Sequence, residues 1–208
     1  MYGANSEKDL VQVPVSSGKH ENVKITEFTT DRTQSGTLTL LVKFQTADGK
    51  AFQQRFFPVN AENIRKNISK FRGQSAEQVI EDQTRRVSAQ ITHILSAFVP
   101  KQNIFFTADT WEEYIEKVVE IAGTNYESEL FRCKLVYNKS GYIEFPRSTV
   151  RPFFENMKEK DNITINPKYD NITPPAATDE DSLEPNAEVT DVDLNVDSSA
   201  VQNEDLIF

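Results

Sequence analysis

The chain has 208 residues, with 23 Lys and Arg against 32 Asp and Glu, a net charge of −9, and a single cysteine, Cys133. That length supports one domain with a real core, and a lone cysteine excludes an internal disulfide and fits a reducing cytosol. No apolar run approaches a membrane span and the N-terminus carries no signal-peptide core, so the expectation is a cytoplasmic protein that avoids membranes.

Residues 1–19 are polar, include Pro14 and Gly18, and read as an N-terminal arm. Residues 22–28 alternate, with Val23 and Ile25 on one side and Lys24 and Thr26 on the other, the pattern of a half-buried strand. A polar loop over 30–36 leads to a second strand, 37–44, with Leu38, Leu40, Val42 and Phe44 on one face. Asp48-Gly49 marks a hairpin turn because the pair readily supplies positive φ. A third strand, 52–57, stops at Pro58.

The period then changes. Residues 60–71 read as a helix broken by Gly73. Residues 75–98 read as a long amphipathic helix whose apolar stripe is Val87, Ile91, Ile94, Leu95 and Phe98. Ser75 and Gln78 have the spacing of a capping box, and Pro100 ends the run. Thr110 and Glu113 form a second such signal, opening a helix that buries Trp111, Tyr114, Ile115, Val118, Val119 and Ala122 and stops at Gly123.

The strand period returns over 130–137, with Phe131, Cys133, Leu135 and Tyr137 on one face and Arg132, Lys134 and Val136 on the other. A turn at 138–141 leads to a fifth strand, 142–145, closed by Pro146. Residues 151–160 suggest a short helix, and a linker with Pro167, Pro174 and Pro175 begins at Asn162. Phe44, Phe52, Phe105, Phe106, Phe131, Phe145, Phe153 and Phe154 are assigned mostly to the core.

The last thirty-five residues carry ten acids and no base, and end Glu204-Asp205-Leu206-Ile207-Phe208. Such a segment cannot bury enough apolar surface to fold and is expected to be a disordered acidic tail. Its removal changes the meaning of the net charge. Residues 1–173 hold all 23 bases against 22 acids, a net of +1, so the acidity is local and does not count against nucleic-acid binding by the body.

The expected fold is mainly β with a helical insert. Three strands, a helical block at 60–123, then two strands is the connectivity of the OB-fold, a small five-stranded barrel that binds oligonucleotides and oligosaccharides. A split α+β sheet is the structural alternative. The domain would span 20–160, with 161–208 as linker and tail.

Gly18, His20, Glu21, Asn22 and Val23 in the opening strand, followed by the hairpin, helical insert and closing hairpin, resemble phage-type single-stranded DNA-binding proteins. Glu204, Asp205, Leu206, Ile207 and Phe208 resemble the acidic C-termini ending in Phe of bacterial and phage proteins of that kind. Bacterial tails usually place Pro before the final Phe, where this chain has Ile207. The resemblance implies a sequence-nonspecific binder acting in phage-type replication, recombination and repair, located in the host cytoplasm if phage-encoded. It also implies a tail that competes with DNA and recruits a polymerase, helicase or nuclease.

Single-strand binding needs aromatic rings for base stacking and a basic groove for phosphates. Lys24, Lys43, Arg55, Phe57, Arg132, Lys134 and Tyr142 fall opposite the most apolar faces of their strands. Phe57 beside Arg55 and Tyr142 near Arg147 are the expected stacking pairs. Arg65, Lys66, Lys70 and Arg72, interleaved with Phe71, would either extend the groove or form a solvated helix face. Arg85 and Arg86 fall one turn from Glu81 and Asp82, the spacing of surface ion pairs.

Little points to catalysis. There are two histidines, His20 and His93, and no Cys/His set with zinc spacing, no phosphate-cradling glycine loop, and no calcium-loop spacing. The expectation is a non-enzyme without cofactor or metal, whose partners are single-stranded DNA and replication proteins, with a homodimer compatible because a tail could reach a neighbour's groove. The competing reading is a protein–protein adaptor or a virion or replisome assembly factor on a small β-barrel. RNA binding by the same sheet is a third.

Overall fold

We describe the fold from a computed structural model, which covers residues 15–71 and 73–175. Most of the expected N-terminal arm, Arg72, and the acidic tail with Glu204, Asp205, Leu206, Ile207 and Phe208 lie outside the described residues. The described chain forms two compact units, residues 15–59 with 83–175, and residues 60–82.

The first unit is mainly β. Its strands are β1 (Gly18–Arg32), β2 (Leu38–Gln45), β3 (Ala51–Phe56), β4 (Phe131–Tyr137), β5 (Ile143–Glu144) and β6 (Phe154–Asn156). The antiparallel order is β3-β2-β1-β4-β5, with β6 also on β4. This is a nearly closed five-stranded barrel, open between β3 and β5. A side chain bridges that seam in place of a ladder, the Phe145 N–H donating to Gln54 Oε1 at 3.3 Å.

β1 can serve both halves of the barrel because it bends. Its register slips between His20 and Val23 and again between Ile25 and Glu27. Asn22 sits at φ 56° in the first slip, a left-handed conformation that asparagine tolerates better than most residues. The N-terminal part of β1 therefore pairs with β4 and the C-terminal part with β2.

β5 and β6 are two pieces of one edge. Ile143 and Glu144 pair with Tyr137 and Val136, and Phe154 to Asn156 pair with Cys133 to Phe131. Between them Lys134 N donates to Phe153 O at 2.8 Å, while residues 146–152 loop outward. The expected short helix over 151–160 is thus replaced by strand. Phe153 and Phe154 are drawn into the core, and Pro152 biases Arg151 before it toward extended backbone.

The inward faces supply an aromatic core. Phe44 stacks on Phe52 with ring centroids 4.7 Å apart, and Phe145, Phe153, Phe154 and Phe131 continue the cluster. One core expectation fails: Phe105 is 81% exposed, whereas Phe106 beside it stacks on Tyr114 at 5.4 Å. Helix α3 (Trp111–Ala122) caps the core with Ile115, Val118 and Ala122. Trp111 Nε1 anchors it to β2 by donating to Leu38 O at 2.7 Å. Thr110 accepts from Glu113 N as expected, but Glu113 reaches back one residue further, to the Asp109 N–H.

The second unit holds α1 (Ala61–Lys66), a 3-10 turn (Ile68–Lys70), and the start of α2 (Ala76–Leu95). The helix expected over 60–71 stops early, at a C-cap where the Asn67 side chain joins its own backbone N–H in donating to Asn63 O. The Ser75–Gln78 capping box forms in both directions, at 2.9 and 3.2 Å.

The stretch expected as linker from Asn162 is instead part of the first unit up to Pro175. Residues 158–172 cross the outward face of β4 as a strap. Ile163 is buried, the Asn162 N–H donates to Glu155, and Tyr137 N donates to Asn171 O at 2.7 Å.

Candidate nucleic-acid interface

Cross-strand register places Lys24, Lys43 and Arg55 on one outward face of β1–β3. Lys24 lies opposite Gln45, Lys43 opposite Glu27, and Arg55 opposite Leu41. Two of these charges are already matched. Lys43 Nζ lies 2.6 Å from Glu27 Oε2. Arg55 Nη2 lies 2.7 Å from Asp31 Oδ2, and its Nη1 donates to Thr39 Oγ1 at 2.9 Å. The Arg55 hydrogen bond holds the Asp31 carboxyl below its ordinary range. Lys24 is exposed and makes no ion pair among the described residues. Phe57 follows β3 and is half-buried.

Arg132 and Lys134 do not belong to an open groove. They are 6% and 2% exposed under the 158–172 strap. Lys134 Nζ lies 2.9 Å from both Asp170 oxygens and donates to Thr164 O. Arg132 donates to Met157 O at 3.0 Å and has Asp161 at 3.7 Å; Lys19 pairs with the same carboxylate. The alternation that points them outward is correct, but the chain returns over that face and covers both, pairing Lys134 closely while Arg132 Nε and Nη1 stay buried without a hydrogen-bond partner.

Tyr142 and Arg147 are exposed beside the split strand. Tyr142 is 72% exposed, its N–H donating to Asn138 Oδ1 at 2.9 Å, and Arg147 Nε sits 3.1 Å from Glu144. In the second unit, Lys66 pairs with Glu62 at 2.7 Å, Arg65 approaches Glu77 at 3.8 Å, and Phe71 is buried, so two of the run's four bases already have carboxylate partners.

The structure adds one residue that the strand and helix patterns do not single out, Tyr169. Phe105, Tyr142 and Tyr169 are the exposed aromatic rings among the described residues. Tyr169, on the strap, carries Arg151 Cζ 5.4 Å and Lys168 Nζ 5.3 Å from its ring centroid. The available signal was the basic-aromatic dipeptide Lys168-Tyr169 in a stretch expected to be linker. Among the described residues, no group of three His, Cys, Asp or Glu side chains could hold a metal ion, and no helix is long and apolar enough to cross a membrane. No protein-family model matches this chain, and no curated protein matches it.

Proposed function

We propose that the first unit is an OB-fold-type module that binds single-stranded DNA without sequence choice, as a non-enzymatic coat in phage-type replication and recombination. The observation that carries this reading is the row Lys24, Lys43 and Arg55, held in register on one outward face of a nearly closed five-stranded antiparallel barrel, an architecture compatible with an OB-fold. Glu27 and Asp31 neutralise two of the three in the free chain, so phosphates must displace carboxylates to bind. That exchange gives a salt-sensitive interaction of modest strength at each phosphate. Tyr142 and Arg147 supply an exposed ring and a base for stacking.

The ten acids after residue 173 fit the same exchange. We infer that this segment competes for the basic row until DNA displaces it, which frees the Phe208 end for a polymerase, helicase or nuclease. The test is anisotropy of a labelled oligo-dT against a duplex of equal length, over a salt series. The full chain is compared with a form lacking 176–208, a cut that leaves the strap intact. Salt-sensitive single-strand binding that tightens on deletion supports both steps. Weaker binding after deletion ends the competition reading, and no binding by either form leaves the adaptor reading in its place.

A further inference from the structure

Many bases of the first unit are matched by carboxylates. Lys19, Lys43, Lys50, Arg55, Lys117 and Lys158 each have a carboxylate partner within hydrogen-bonding distance. Arg151 and Lys168 differ. Neither makes an ion pair among the described residues, yet both converge on the ring of Tyr169. A ring quadrupole holds cations without cancelling their charge. The result is two uncompensated cations around one aromatic side chain that remains 62% exposed.

The support under this cluster is tied to β4. Asp170, next to Tyr169, is fixed by the buried Lys134, and Asn171 is bonded to Tyr137 at the end of β4. Asn138, just past the end of β4, donates its backbone N–H to Tyr142 O on the opposite edge. With strands about 4.8 Å apart, the backbones of Asn171 and Tyr142 therefore lie roughly 10 Å apart across the end of one strand. Two exposed tyrosines thus flank the same strand end.

We propose that Tyr169 is a stacking site for one unpaired base of a nucleic-acid strand, with Arg151 and Lys168 taking the flanking phosphates. This rests on the nucleic-acid reading of the barrel and adds to it a second point of attachment on the strap, away from the β1–β3 row. The ligand class follows from the chemistry. An exposed ring asks for a flat π-face, and the adjoining cations ask for anions on both sides of it. A single strand alternates those two groups along its length, whereas a duplex hides the base faces. Tyr169 also lies six residues before Pro175, the last described residue, so the acidic tail of this chain is the rival occupant.

The experiment uses the full chain, with a labelled oligo-dT read by anisotropy and an oligomer carrying 5-iododeoxyuridine for photocrosslinking. Y169L weakens oligo-dT binding roughly five- to hundredfold, Y169F keeps most of it, and the crosslink maps to the peptide carrying Tyr169. R151Q with K168Q lowers the salt slope by about 1.4, for two single-strand phosphates. Thermal unfolding checks that each variant is folded, and the crosslink with wild-type chain stands even where a variant is not. Wild-type affinity in Y169L, with crosslinks elsewhere, overturns the site while the barrel reading survives. Tighter binding in Y169L shows that the ring holds the acidic tail and also overturns it. No oligo-dT binding by the wild-type chain overturns the barrel reading and this site together.

Discussion

Two pairs of bases in this protein have opposite fates. Arg132 and Lys134 sit two apart on β4 and are buried against Asp161, Asp170 and backbone carbonyls. Arg151 and Lys168 come from two separate segments and meet over an exposed ring. Charge does not tell the pairs apart; what does is whether a later stretch of chain returns with a carboxylate. A base under a strap is tied into the fold, whereas the two bases over the ring make no ion pair among the described residues.

The sharpest way to break that contrast is at Lys134. Removing one partner of a buried ion pair strands the other, so K134A or D170A is expected to cost about 3–5 kcal/mol. A K134M/D170L pair, which removes both charges and keeps apolar volume, restores most of the loss. Urea unfolding of the two single variants and the double variant measures this. A harmless K134A would mean that the strap does not depend on this pair.

The outward row gives the opposite expectation. Lys43 and Arg55 pair with Glu27 and Asp31 at the surface, where such pairs contribute little to stability. K43Q with R55Q leaves the unfolding midpoint nearly unchanged but lowers the salt slope of oligo-dT binding by about 0.7 for each phosphate that is no longer neutralised. An unchanged slope would remove these two residues from the interface.

Much of the barrel was legible because its strands bury one face. Val23, Ile25, Leu40, Val42 and Phe44 alternate with polar residues and point inward as that pattern demands. The Ser75–Gln78 box was equally readable, because a cap is a local hydrogen bond between nearby residues. The strap was not. Its partner on β4 lies 36 residues earlier, and no local rule ties Lys134 to Asp170. One clue was present: Asn162-Ile163-Thr164-Ile165-Asn166 alternates like a half-buried strand, and Ile163 is indeed buried. The candidate site suffered for the same reason, since burying β4 removed Arg132 and Lys134 and brought Tyr169 to the surface.

His93 tests the junction between the outward loop 146–152 and the buried strand. Its Nε2 accepts the Phe153 N–H at 3.3 Å, and its ring lies 4.5 Å from that of Phe153. Burial pushes the imidazole below its ordinary 6.5, with Glu155 pulling weakly upward. The fold therefore favours neutral His93, and the unfolded chain takes the proton first. Stability from this group is whole above about pH 6.5 and declines as pH falls through that value. Thermal unfolding between pH 7.5 and 5.5 should show the decline, and H93Q should flatten it. The carboxylates held low by lysine and arginine titrate further down and leave this window clear.

The smallest expected effect belongs to a residue whose apolar character suggests the largest. Phe105 and Phe106 are adjacent and look alike in sequence, yet only Phe106 packs, against Tyr114. Phe105 is 81% exposed, so F105S removes almost no buried surface and should change stability by less than about 0.5 kcal/mol. F106A should cost roughly 1–3 kcal/mol, below the cost for a fully buried ring. Parallel denaturant curves decide the point. A large loss in F105S would mean that the ring is covered in solution, and would place an interface at the start of α3 rather than at the strap.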